Sequence, residues 1–203
     1  MVVKEIIEKA WKLSHSIQVQ RIDRNIFLFT FGHEVDRQLA FNRRPWTIKG
    51  AHLILKPWTP DLSWHEMDFS TSTLWVQIHG LPILWQMKDN INRIALWIGR
   101  IIDVDFTDEP KPHWKKFVRV RVEVDITIPL KSGMFLPRPG LPNLWIGLKY
   151  KKLFDLCYKY DSFGHVEKDC GHPKMLLSNK YGIKFPAFGD WHRTEYEKQP
   201  PDI

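Results

Sequence analysis

The chain has 203 residues, 43% hydrophobic and 26% charged, a globular balance that excludes wholesale disorder and fibrous repeats. Lys and Arg outnumber Asp and Glu by 30 to 23, a formal net charge of +7, and ten residues are tryptophan. No run of about 18 apolar residues occurs, which excludes a membrane-spanning helix. The start, Met1-Val-Val-Lys-Glu, lacks the apolar core of a secretory signal, so a nuclear or cytoplasmic, non-secreted protein is expected. In that reducing setting the two cysteines are not expected to form a structural disulfide. Residues 151–203 carry nine Lys/Arg against eight Asp/Glu, so the basic excess lies in residues 1–150 and a basic tail is excluded.

Residues 2–12 read as an amphipathic helix. Val3, Ile6, Ile7, Ala10 and Trp11 share one face, and Glu5/Lys9 and Glu8/Lys12 are spaced to pair on the other. Two strand-like runs follow, Ile17–Ile22 and Ile26–Phe31, split by an Asp-Arg-Asn turn. The second run is apolar on both faces, as a central strand would be. Residues 33–43 suit a helix with Val35 and Leu39 inward. A hairpin is expected next, with Trp46–Ile48 and Ala51–Lys56 either side of Lys49-Gly50.

A polar loop from Pro57 to Ser72 leads to a second half. There Leu74, Val76 and Ile78 alternate with Trp75, Gln77 and His79, the mark of a strand with one buried face. Asp89 is placed to cap a helix carrying Ile91, Ile94, Ala95 and Ile98 and ending at Gly99. Ile101–Phe106 reads as a strand. In the next one, Val118, Val120, Val122, Val124 and Ile126 face away from Phe117, Arg119, Arg121, Glu123 and Asp125. Pro137–Pro142 reads as a link to a last strand, Leu144–Tyr150. The expected class is α+β: a mostly antiparallel, RRM-like sheet with helices on one face, though without the RNP1 aromatic signature.

Both cysteines lie in Cys157-Tyr-Lys-Tyr-Asp-Ser-Phe-Gly-His165-Val-Glu-Lys-Asp-Cys170. A zinc knuckle presents four soft ligands from a small closed loop, in the pattern Cys-x2-Cys-x4-His-x4-Cys. Cys157, His165 and Cys170 fill three of the four positions, and Tyr160 stands where the second cysteine belongs. One reading is a residual zinc site with His172 as a substitute ligand. The other is a metal-free loop with two thiols, which the missing thiolate favours. A complete structural site contributes on the order of 10–16 kcal/mol to the folding of a small module.

Further pieces are Phe27-Leu-Phe-Thr-Phe, Arg44-Pro-Trp-Thr-Ile-Lys-Gly, Leu74-Trp-Val-Gln-Ile-His-Gly-Leu-Pro82 and Ile98-Gly-Arg-Ile-Ile-Asp-Val-Asp105. Val118-Arg-Val-Arg-Val-Glu-Val-Asp125, Pro129-Leu-Lys-Ser-Gly133 and Lys149-Tyr-Lys-Lys-Leu complete the series. In this order they resemble plant retrotransposon-derived proteins with a gag-like domain of unknown function followed by a zinc knuckle. The resemblance covers roughly residues 5–172. It implies nucleic-acid binding and, through the knuckle, zinc; it implies no enzymatic activity. Tyr160 and Asp161 depart from the family's Cys-Gly at those positions, which puts the metal in question and suggests a decaying copy of a mobile element.

The stretch Lys111-Pro-His-Trp-Lys115-Lys116-Phe-Val-Arg119-Val-Arg121 holds five positive charges and no acid. Arg119 and Arg121 share a strand face, where they can grip phosphates with Trp114 or Phe117 stacking a base. Equally, they can pair across strands with Asp103 and Asp105. Most of the tryptophans are expected in packing roles. His65-Glu66 lacks a second histidine for a zincin, and no phosphate-cradling glycine loop or nucleophile elbow is present.

The expected organisation is a gag-like α+β domain over 1–150, a degenerate knuckle over 151–172 and a poorly ordered polar tail over 173–203. The expected function is non-enzymatic binding of single-stranded RNA or DNA, with no membrane or small-molecule partner. Lys111, Lys115, Lys116, Arg119, Arg121, Lys159 and Lys168 would meet phosphates, and Tyr158 and Phe163 would stack on bases. The alternative is a protein–protein assembly module that self-associates or docks a partner and retains neither nucleic-acid nor zinc binding.

Overall fold

The structure, a computed structural model, describes residues 2–105, 115–153, 156–157, 162–163, 169–178, 182, 184–187, 189 and 192–194. The chain divides into two compact units, Met1–Pro57 and Trp58–Ile203. The division falls at the start of the polar loop, inside the span 1–150 expected as one domain.

In the first unit, helix α1 spans Val2–Trp11 and buries Ile7 and Trp11. It ends there because Lys12 takes a φ of 51°, outside the helical region. Lys12 is thereby removed from the reach expected for it, and Glu8 pairs with Lys4 at 3.7 Å instead. Strands β1 (Ile17–Asp23) and β2 (Ile26–Phe31) form an antiparallel hairpin. Helix α2 (Glu34–Asn42) follows, its first turn capped by the His33 ring, which accepts from the Val35 N–H. Strands β3 (Trp46–Ile48) and β4 (Ala51–Leu53) form the second hairpin. Its turn has positive φ at both Lys49 and Gly50, the geometry that favours glycine and suits the twist of the flanking strands.

Trp11 organises this unit's core. Its ring lies 5.4 Å from Phe29 edge-on, 5.6 Å from Phe31 and 6.0 Å from Trp46, beside Ile7, Ile17 and Ala40. The pattern of α2 is rotated from the expected one. Val35 is 61% exposed, while Asp36 and Ala40 are buried. A polar group replaces the apolar one inside because Asp36 accepts from the Ser14 and His15 N–H groups and contacts the His15 ring at 2.9 Å. These bonds, the Ser14 N–H first, hold its carboxyl below the usual carboxylate range.

The second unit is built on a five-stranded antiparallel sheet. Its strands are β5 (Thr71–His79), β6 (Arg100–Asp105), β7 (Phe117–Asp125), β8 (Gly133–Arg138) and β9 (Leu141–Tyr150), in the order β6-β7-β5-β9-β8. Helix α3 (Lys88–Ile98) connects β5 to β6, which run parallel with β7 between them, a split βαβ unit. The expected α+β class with a mostly antiparallel sheet is present. Leu74, Val76 and Ile78, the four valines of β7, and Ile146, Leu148 and Tyr150 meet Ile91, Ile94, Ala95 and Ile98 in one core. The α3 cap differs from expectation: Lys88 is already helical, Met87 holds the cap position, and Asp89 lies in the first turn, where its charge suits the helix dipole.

Strand β8 occupies part of what reads in sequence as a link. Pro137 is tolerated because β8 is an edge strand and the register shifts between Leu136 and Arg138. At Gly133 any Cβ would collide with the Ile146 carbonyl and the Trp145 ring, so the indole lies over a position only glycine can vacate. Beyond β9, Leu156–Cys157 (β10) pairs with Ser162–Phe163 (β11). Within the stretch expected to be poorly ordered, Leu176–Ser178 (β12) pairs with Lys184–Pro186 (β13), and Arg193 bridges Tyr150.

Candidate nucleic-acid interface

Helix α3 covers one face of the sheet, and strand alternation sends every second side chain to the other. The register brings Thr73, Trp75, Gln77 and His79 of β5 level with Glu123, Arg121, Arg119 and Phe117 of β7 on that outer face. Strand β9 adds Trp145 and Lys149, with Lys149 opposite Gln77, and β8 adds Phe135 opposite Trp145. The result is a surface of aromatic rings and cations.

Its two ends differ. Toward β6 the charges are matched in a ladder. Arg100 meets Glu123 at 2.6 Å, Arg121 meets Asp103 at 3.4 Å, and Arg119 pairs with Asp105 through both Nε and Nη2. The basic strand therefore takes the cross-strand pairing left open by its sequence. Arg121 also lies 5.3 Å from the Trp75 ring, a cation–π contact.

The other end carries the rings. Phe117 and His79 lie 5.2 Å apart at 39°, each half-buried. The His79 ring contacts Gln77 Oε1 at 2.9 Å. Burial, then the charges of Lys149 and Lys116, push the His79 pKa down to about 4. The ring is neutral at pH 7, so its Nε2–H donates to Gln77. Thr73 Oγ1 and Trp145 Nε1, both buried on this face, have no hydrogen-bond partner among the described residues.

Lys115 and Lys116 stand at the entry to β7. The Lys115 backbone is fixed by the buried Gln86 amide, which accepts from its N–H at 2.9 Å and donates to its carbonyl at 3.0 Å. The same amide donates to the Leu81 carbonyl. Lys111 and Trp114 lie outside the described residues, as do Tyr158, Lys159, Tyr160, Asp161, His165 and Lys168.

Of the expected metal ligands, Cys157 and Cys170 are buried and in no disulfide, and His172 is exposed. Among the described residues no group of three His, Cys, Asp or Glu side chains is placed to hold a metal. Phe163, expected to stack on a base, packs against the main core instead.

Trp75, His79 and Lys149 were not among the expected site residues. The signal was the alternation of β5 itself: a strand with Leu74, Val76 and Ile78 buried must send Trp75 and His79 outward. Which strands lie beside β5 is set by tertiary pairing, which local pattern does not carry.

Residues 2–66 match a family described as a domain of unknown function (DUF4283). An uncharacterised protein of Arabidopsis thaliana is 24% identical over 141 residues, which make up 70% of this chain and 44% of that protein. The chain thus spans less than half the length of the curated relative it matches. No solved structure gives a significant match.

Proposed function

We propose that this chain is a non-enzymatic module that binds single-stranded nucleic acid on the outer face of its five-stranded sheet. One observation carries the reading. The two central strands, β5 and β7, present Trp75, His79 and Phe117 on one face, flanked by Lys149 and Lys116. Unpaired bases stack on such rings while cations track the backbone. The strand order β6-β7-β5-β9 is that of RRM-like sheets, which use this face in the same way. A duplex, whose bases are already stacked and paired, offers these rings nothing to stack on. The gag-like resemblance of the sequence agrees with the reading, and zinc at Cys157, His165 and Cys170 is a separate question that the sheet does not need.

The test is fluorescence anisotropy of labelled RNA and DNA oligonucleotides with Phe117→Ala and Trp75→Ala. Base–aromatic stacking is worth about 1–3 kcal/mol per base, so each variant should bind about 5- to 150-fold more weakly. Affinity should also fall with salt at roughly 0.7 log units per phosphate neutralised on a single strand. Wild-type affinity in both variants would remove the sheet face from the reading.

A further inference from the structure

Strand β2 reads in sequence as a central strand, apolar on both faces, yet among the described residues its sole strand partner is β1. The other edge strands of comparable length are protected. β1 carries Arg21 and Asp23 with a register shift between them, and β6 carries Arg100, Asp103 and Asp105 with a shift after Ile101. β8 carries Pro137 and a shift at Leu136. Charge, proline and bulges are the devices that stop an edge from pairing with another chain. β2, Ile-Phe-Leu-Phe-Thr-Phe, has none of them.

The hydrogen-bond phase shows which groups this edge offers. Gly32 N–H donates to the Ser16 carbonyl at 3.2 Å, one step beyond the Ile17–Phe31 pair. Bonded and non-bonded pairs alternate in an antiparallel ladder, so Ile17–Phe31, Val19–Phe29 and Arg21–Phe27 are non-bonded pairs. The N–H and C=O groups of Phe27, Phe29 and Phe31 therefore point away from β1.

We infer that β2 pairs with β2 of a second copy of this chain, antiparallel about a two-fold axis at Phe29, to join two hairpins into one four-stranded sheet. This register sets Phe29 opposite itself and Phe27 opposite Phe31 of the second copy, so all three outward donors and acceptors are used, for about six main-chain bonds. It sets Leu28 opposite Thr30, with no charge anywhere in the paired segment. The closed, self-complementary arrangement is that of an isologous dimer. It is independent of nucleic-acid binding by the unit that carries the outer sheet face.

The experiment is sedimentation velocity of the full chain, freed of nucleic acid by nuclease and high-salt washing, over a dilution series. The expected result is a concentration-dependent dimer. Leu28→Lys/Thr30→Lys, which sets lysines opposite each other on the face away from Trp11, should raise the dissociation constant at least about tenfold while circular dichroism stays unchanged. A chain that is monomeric throughout the series overturns the inference. So does a dimer indifferent to the lysine pair.

Discussion

Lowering the pH from about 7.5 to about 5 should destabilise the first unit through one partly buried histidine. His52, on β4, has its pKa pushed from 6.5 down to about 4 by burial. A group that holds its proton less well when folded favours the unfolded chain as acid is added. Its stabilising effect is complete above pH 6.5 and is lost progressively as the pH falls toward 4. At pH 5 the unfolded imidazole is almost wholly protonated and the folded one barely so, which costs about 2 kcal/mol. His79 has the same sign in the second unit, but its ring is more exposed and solvent screens it, so about 1 kcal/mol is the ceiling there. Urea unfolding followed by tryptophan fluorescence at the two pH values, for the wild type, His52→Gln and His79→Gln, separates the two. The quantity to compare is each protein's change with pH, since either substitution shifts the baseline. His52→Gln should flatten the loss by about 2 kcal/mol and His79→Gln by less. If His52→Gln loses as much stability between the two pH values as the wild type, the assignment of this pH dependence to His52 is wrong.

Two further outcomes are expected. Asp103→Asn/Asp105→Asn releases Arg121 and Arg119 from their cross-strand partners, so oligonucleotide affinity should rise several-fold and the log-affinity against log-salt slope should steepen by up to about 1.4 units. Asp125→Asn, at the far end of β7 and bonded to Thr127 rather than to an arginine, is the charge control and should leave the slope nearly unchanged. Tyr160→Cys/Asp161→Gly completes the four-ligand pattern with Cys157, His165 and Cys170. Zinc titration against a chelator should then show tight binding that releases protons and strengthens with rising pH, while the unchanged chain binds weakly. Equal affinity in both would mean that another group already completes the site.

The parts of the fold that could be read in advance are those where a single periodicity dominates. The valines of β7 and the Ile91, Ile94, Ala95, Ile98 stripe of α3 bury as their spacing requires, because nothing competes with apolar burial there. In α2 the competing term is hydrogen bonding. Two backbone donors at Ser14 and His15 need an acceptor, and Asp36 supplies it from a position that hydropathy assigns to the surface. β8 was hidden by Pro137, which argues against a strand except at an edge, and edge status is known only from the assembled sheet. The site divides in the same way. Alternation alone shows that Arg119 and Arg121 share a face, whereas their neutralisation by β6 and their neighbours on β5 depend on strand order.

The Gln86 amide joins Leu81, just after β5, to Lys115, just before β7, so the start of β7 is set from within the core. Phe117 lies two residues beyond Lys115 and level with His79, so one buried side chain anchors the end of the strand pair on which the two rings meet. A primary amide can do this because it carries an acceptor and two donors in one plane, and all three are used here. A carboxylate of the same size keeps the acceptor and loses both donors, leaving the Leu81 and Lys115 carbonyls to find other partners.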